Sequence, residues 1–148
     1  KPYSGEYGGE YDYDIYGRTM DDILNAEPKE VKQKDLDEVI SRDIYWHPSL
    51  SSNPTQNTEA LKYIVNTLSE ENIPVIIILM PLHPAVTEII TNETHQNMYN
   101  YLNSLGCPWY DLENRYNESC FKDDHHMSDY GAKFFSLDLA DLIIQELT

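Results

Sequence analysis

A histidine that works as a general base must offer one ring nitrogen to the group it deprotonates. An acceptor must hold the other nitrogen and fix the tautomer. The stretch Asp123-Asp124-His125-His126-Met127-Ser128-Asp129-Tyr130-Gly131 has the residue types for this. Asp123 precedes His126 by three positions on a short polar segment, close enough to bind the second nitrogen without help from another element. Ser128 is a good helix N-cap, and Asp129 in the first turn suits the helix dipole. Gly131 is expected to let the backbone turn into that helix. The stretch predicts a rigid mount in which Asp123 orients and His126 takes the proton. Two readings compete. A solvated polar loop without chemistry has the same composition. Asp123, Asp124, His125 and His126 are also metal-ligand types, with His83 and His47 as distant additions. Adjacent residues rarely all face one ion, however, and a zinc or iron site normally draws ligands at helical spacing or from separate elements. Neither a metal nor a cofactor is expected.

Positioning such a loop takes a scaffold, and the pattern from residue 57 onward supplies one. Ala60, Leu61, Ile64, Val65 and Leu68 recur at helical spacing, with Thr55 or Asn57 as the cap, and Ile73-Pro74 ends the run. Val75 to Met80 is apolar on both faces and β-branched, the pattern of a central parallel strand. Pro81-Leu82-His83-Pro84 leaves its carboxyl end. Thr91 to Leu105 predicts a helix with Met98, Tyr101, Leu102 and Leu105 inward and Gly106 as its stop. Pro108 to Leu112 reads as a second short strand. A last helix follows Ser128, with Ala132, Phe135, Leu139, Leu142 and Ile143 on its inner side. Upstream, Val31, Leu36, Val39 and Ile40 give a thinner helical stripe over Lys29–Ser41, and residues 43–56, with Trp46 and His47, read as loop.

The order is α-β-α-β-α. It predicts an α/β fold over residues 21–148, a parallel sheet flanked by helices with function at the strands' carboxyl ends. The Pro81–Pro84 loop and the Glu113–Met127 loop leave such ends and are expected side by side. His83 is expected to line a pocket there or to be solvated. The acidic run from Glu113 to Asp124 is expected to be a solvated face, and Trp46 and Trp109 to be core or rim residues.

Length and charge bound the rest. A chain of 148 residues suits one domain, and 41% hydrophobic against 24% charged residues is the balance of a globular protein. Twenty-six acids against ten bases leave −16, which argues against nucleic acid or an anionic membrane as partner. No apolar run reaches the roughly 18–20 residues of a membrane span, so no direct insertion is expected. Residues 1–20 scatter five tyrosines (Tyr3, Tyr7, Tyr11, Tyr13 and Tyr16) among Gly, Glu and Asp, and read as an arm or loop. Cys107 and Cys120 suit a disulfide or two buried thiols equally well. The sequons at Asn92 and Asn117 lean toward an extracytoplasmic, cell-envelope location.

The block Asp123-x-x-His126-x-Ser128-x-x-Gly131-Ala132 resembles the last conserved block of the SGNH (GDSL-like) hydrolases and of related envelope O-acyltransferases. The strand ending in Met80-Pro81-Leu82-His83-Pro84 is similar to the one that precedes that block, so the resemblance covers about residues 57–146. It implies a three-layer, SGNH/flavodoxin-like fold and casts Asp123 as orienter and His126 as general base of a Ser-His-Asp triad. Relatives with Asp-x-His would use Asp124 instead. The substrate implied is a small-molecule or polysaccharide ester. The family's Gly-Asp-Ser nucleophile block and its oxyanion-hole glycine and asparagine are not found. Ser4 has no strand before it, and Ser41, Ser49, Ser51 and Ser52 have no nucleophile elbow. The chain thus reads as the carboxyl-terminal part of such a protein, or as a diverged relative that has lost its catalytic front half, with an incomplete sheet, and alone is expected to be a poor esterase or none. The competing class is a non-catalytic extracytoplasmic binding or structural domain that retains the fold.

Overall fold

The computed structural model describes residues 19–28, 30–34, 36–38 and 56–147. Thr19 opens the first helix, α1 (Met20–Leu24), through a capping box. Its hydroxyl accepts the Asp22 N–H, and the Asp22 carboxylate accepts the Thr19 N–H. Residues 33, 34 and 36–38 are helical, as expected within Lys29–Ser41, while Val39, Ile40, Ser41, Trp46, His47 and the Tyr-rich residues 1–18 lie outside the described residues.

The next helix, α2 (Gln56–Glu70), stops where Asn72 takes a positive φ of 56° and the Ile73 N–H reaches back to the Leu68 carbonyl. A left-handed residue after the last turn closes the helix, and Pro74 forbids its continuation. The chain enters β1 (Ile77–Leu79), then the short helix α3 (Pro84–Thr87), then α4 (Asn92–Ser104), capped by the Thr91 hydroxyl on the Thr94 N–H. Gly106, at φ 72°, provides the expected stop and leads into β2 (Trp109–Asp111). The two strands pair in parallel with Ile77 opposite Trp109, Ile78 opposite Tyr110 and Leu79 opposite Asp111. This is the α/β arrangement anticipated, in a sheet that has two strands among the described residues. β1 is shorter than Val75–Met80 and only half-buried, whereas a central strand was expected.

Alternation along β1 divides the molecule. Val75, Ile77 and Leu79 pack on a core of Val65, Met98, Leu102 and Leu105, which joins α2, α4 and one face of the sheet. Trp109 sits at that core's edge, stacked on Tyr99 with its indole N–H on Asn103. The last helix, α5 (Asp129–Leu147), is tied to α1 by Lys133, whose ammonium donates to the Leu24 and Ala26 carbonyls, and to β2 by the Tyr110 hydroxyl on Glu146. Ala132, Phe135, Leu139 and Leu142 are half-buried, but Ile143, expected inward, is exposed. Among the described residues no helix is long and apolar enough to cross a membrane.

Candidate functional site: the Asp123–His126 hairpin

Residues 120–128 fold back on themselves. The Ser128 N–H donates to the Cys120 carbonyl, Phe121 bridges Met127 in antiparallel fashion, and the Lys122 N–H donates to the His126 carbonyl. Phe121, with no exposed surface, anchors this small hairpin. At its tip one oxygen of Asp123 accepts the N–H groups of His125 (3.1 Å) and His126 (2.7 Å), so the side chain builds the turn it sits on. The other oxygen lies 2.9 Å from Nδ1 of His126. An ionised carboxylate only accepts, so Nδ1 carries the proton and the lone pair is on Nε2. Burial pushes the Asp123 carboxyl up. The backbone N–H groups of His126 and His125, with the His126 ring, outweigh it and hold the carboxyl below its ordinary value. The His126 side chain is 57% exposed, open to an incoming group.

Ser128 caps α5 as anticipated: its hydroxyl accepts the Gly131 N–H and its carbonyl the Ala132 N–H. Gly131 serves a different purpose from the turn expected of it. It lies inside α5 without a positive φ, and a Cβ there would stand 2.1 Å from the Cys120 carbonyl oxygen. Glycine lets the helix start pass directly over the hairpin's base.

The neighbouring pair is separate. Asp124 holds Nδ1 of His125 at 2.8 Å rather than His126, so the Asp-x-His alternative has no counterpart in the geometry. The two imidazoles lie with ring centroids 4.0 Å apart. Among the described residues Asp123, His125 and His126 each offer one ligand atom within 4.8 Å of the others, a grouping of metal-ligand types. Asp124 stands behind His125 instead of joining them.

The loops after β1 and β2 do meet. The Leu82 N–H donates to the Glu113 carbonyl and the His83 N–H to the Asp124 carbonyl, each at about the usual backbone distance. His83 is no solvated loop residue. It is 3% exposed, packs edge-on against Phe121, and caps α3 by accepting the Ala85 N–H at Nδ1 (3.2 Å). Burial pushes its imidazole below the ordinary value against the pull of Glu118 and Asp124. It also lines a cavity of about 670 Å³ with Val31, Gln33, Leu36, Glu88 and Glu118 among the described residues.

The expectation of a solvated acidic face over Glu113–Asp124 fails at both ends, because Glu113 and Asp124 are buried. Glu113 lies 2.9 Å from Nε2 of His95, and its N–H donates to Asp111, which also accepts the Tyr99 hydroxyl. Burial drives the Glu113 carboxyl up, countered by His95 and reinforced by Asp111. Sequence reasoning missed this cluster, although a signal existed. His95 is in phase with Met98, Tyr99 and Leu102, and Asp111 and Glu113 stand at a parallel strand's carboxyl end. Both cysteines are free, Cys120 buried and Cys107 partly so, and burial pushes both thiols up. Among the described residues no serine donates to His126. Ser104, Ser119 and Ser136 bond their own neighbours, and Ser128 is committed to its cap.

The fold and site define an α/β protein with an Asp–His pair on a hairpin beyond its strands. A family model matches residues 29–148, most of the chain, and the protein belongs to that uncharacterised family. Neither a curated protein nor a solved structure matches it.

Proposed function

We propose that this chain supplies the Asp–His half of an SGNH-type ester hydrolase or O-acyltransferase that acts on an acyl ester of an envelope polysaccharide or a similar small ester. The observation that carries this reading is the Asp123 carboxylate 2.9 Å from His126 Nδ1, with Nε2 left as the proton acceptor on an exposed ring. In such chemistry His126 withdraws the proton from a serine as that oxygen attacks the ester carbonyl, then returns it to the leaving alcohol. Asp123 stabilises the imidazolium between these steps. A three-layer arrangement is supported by the core of α2 and α4 on one face of the sheet and by the Tyr110–Glu146 contact of α5 on the other. The nucleophile and oxyanion donors would come from outside the described residues.

The test uses the complete reading frame that contains this chain. Turnover of p-nitrophenyl acetate and labelling by a fluorophosphonate probe are expected, with His126→Ala lowering turnover by about 10²–10⁴-fold and Asp123→Asn lowering it less. Turnover or labelling that survives His126→Ala removes His126 from the role. An inert full-length protein favours the non-catalytic binding domain.

A further inference from the structure

We propose that the hairpin tip binds a divalent transition-metal ion of the zinc class through Nε2 of His125 and Nε2 of His126, with water completing its coordination. Consecutive residues rarely face one ion, and the turn at the tip removes that obstacle. One Asp123 oxygen accepts the N–H groups of both His125 and His126. The bent backbone leaves the two imidazoles with centroids 4.0 Å apart and planes 40° from one another. Two imidazoles on one zinc, with bonds of about 2.0–2.1 Å at roughly 90–110° to each other, hold their centroids about 4.5–5 Å apart. The two rings need to part by only about 1 Å to reach that spacing, and both stand on a surface turn.

Each ring is already prepared as a ligand. Nδ1 of His126 lies 2.9 Å from Asp123 and Nδ1 of His125 lies 2.8 Å from Asp124, so both neutral rings carry the proton on Nδ1 and the lone pair on Nε2. Metal-binding histidines ordinarily have such a carboxylate behind them, which fixes the tautomer and strengthens the nitrogen as a donor. Here two neighbouring histidines each have one, and Asp124 is itself buried. The rings remain accessible, at 46% and 57% exposed. An Asp123 oxygen within 4.8 Å of a nitrogen on each ring adds negative charge beside the ion. Imidazole donors select zinc, copper or nickel, whereas calcium and magnesium seek oxygen. The ion would take the lone pair that the hydrolase reading assigns to the base, so a loaded chain has no base at His126. Only that consequence rests on the hydrolase reading; the binding does not.

Calorimetric titration of the 148-residue chain with zinc chloride should show saturable binding of one ion. Calcium is the control for the general pull of a chain at −16, and should bind about tenfold or more weakly. His125→Ala and His126→Ala each remove an exposed side chain, and each should lower zinc affinity by about tenfold or more. Asp124→Asn, which leaves both ligands in place, should lower it by about 10–100-fold. Copper(II) then serves as a spectroscopic probe that separates a lost ligand from a disturbed fold. Its electron paramagnetic resonance spectrum should show splitting by two ring nitrogens, and by one in either alanine variant. Absence of saturable zinc binding, equal affinity for zinc and calcium, or zinc affinity and nitrogen splitting that persist in both alanine variants would overturn the proposal. Binding is read without turnover, so either proposal can fail while the other stands.

Discussion

Asp123 uses one carboxylate twice, as the acceptor that shapes the hairpin tip and as the anion that holds His126. The sign of its effect on stability follows. A carboxyl held low in the folded state contributes stability that is present above the ordinary value of 3.8 and is lost as pH falls through the depressed one. Asp123→Asn should therefore lower the Tm at neutral pH, and its gap to the unsubstituted chain should narrow below pH 3.8. Thermal unfolding across pH measures this, and a constant gap would contradict it. His83 works in the same direction by another route. Its buried ring is held below 6.5, so as pH falls past that value the unfolded chain takes up the proton first. Stability should decline below pH 6.5 until the folded ring protonates too, and His83→Asn should flatten that part of the profile. The Asp123–His126 pair was legible in the sequence because both residues lie on one tight turn. The burial of His83 comes from its packing against Phe121 on the later hairpin, so it was not legible.

At the scale of elements, the hairpin is held by how closely α5 crosses it. An alanine in a helix interior is ordinarily about 1 kcal/mol better than glycine. Gly131→Ala should reverse that order, because its Cβ would meet the Cys120 carbonyl oxygen at 2.1 Å, and backbone atoms on both sides must shift. A loss of roughly 1–3 kcal/mol or more is expected, read as a lower midpoint in urea. Gly106→Ala is the control. It meets nothing within 4 Å and carries only the strain of its φ of 72°, so roughly 1–2 kcal/mol should be lost. If Gly131→Ala proves neutral, close passage is not what requires glycine there. Pattern and caps revealed the helices well: Thr91, Gly106 and Ser128 mark real boundaries because capping is local chemistry. The strands were overextended since Val75 to Met80 is apolar throughout, and an apolar run does not say how many of its residues find a ladder partner. Gly131 was misread for a related reason. Glycine signals either a special φ or a close approach, and only three-dimensional placement separates them.

Over the whole molecule the charge is the dominant long-range force. The net charge is −16, and α1, α2, α4 and α5 all end without a basic residue in the last turn, so their negative dipole ends go uncompensated. Acid repels acid across the surface, and folding concentrates that repulsion. Salt should relieve it. Between about 0.01 and 0.15 M the screening length falls from roughly 30 to 8 Å, and beyond that distant charges are already hidden from one another. The Tm at neutral pH should therefore rise over this interval by roughly 2–4 °C, the scale of about 1 kcal/mol, and then level off. A second cause must be separated, because α5 exposes Phe134, Leu137 and Ile144, and salts excluded from apolar surface also stabilise folded proteins. The two differ in their dependence on the ion. Screening follows ionic strength, so chloride and sulfate compared at equal ionic strength should give one curve. A rise seen with sulfate alone would place the stabilisation on apolar surface and leave the repulsion without measurable effect.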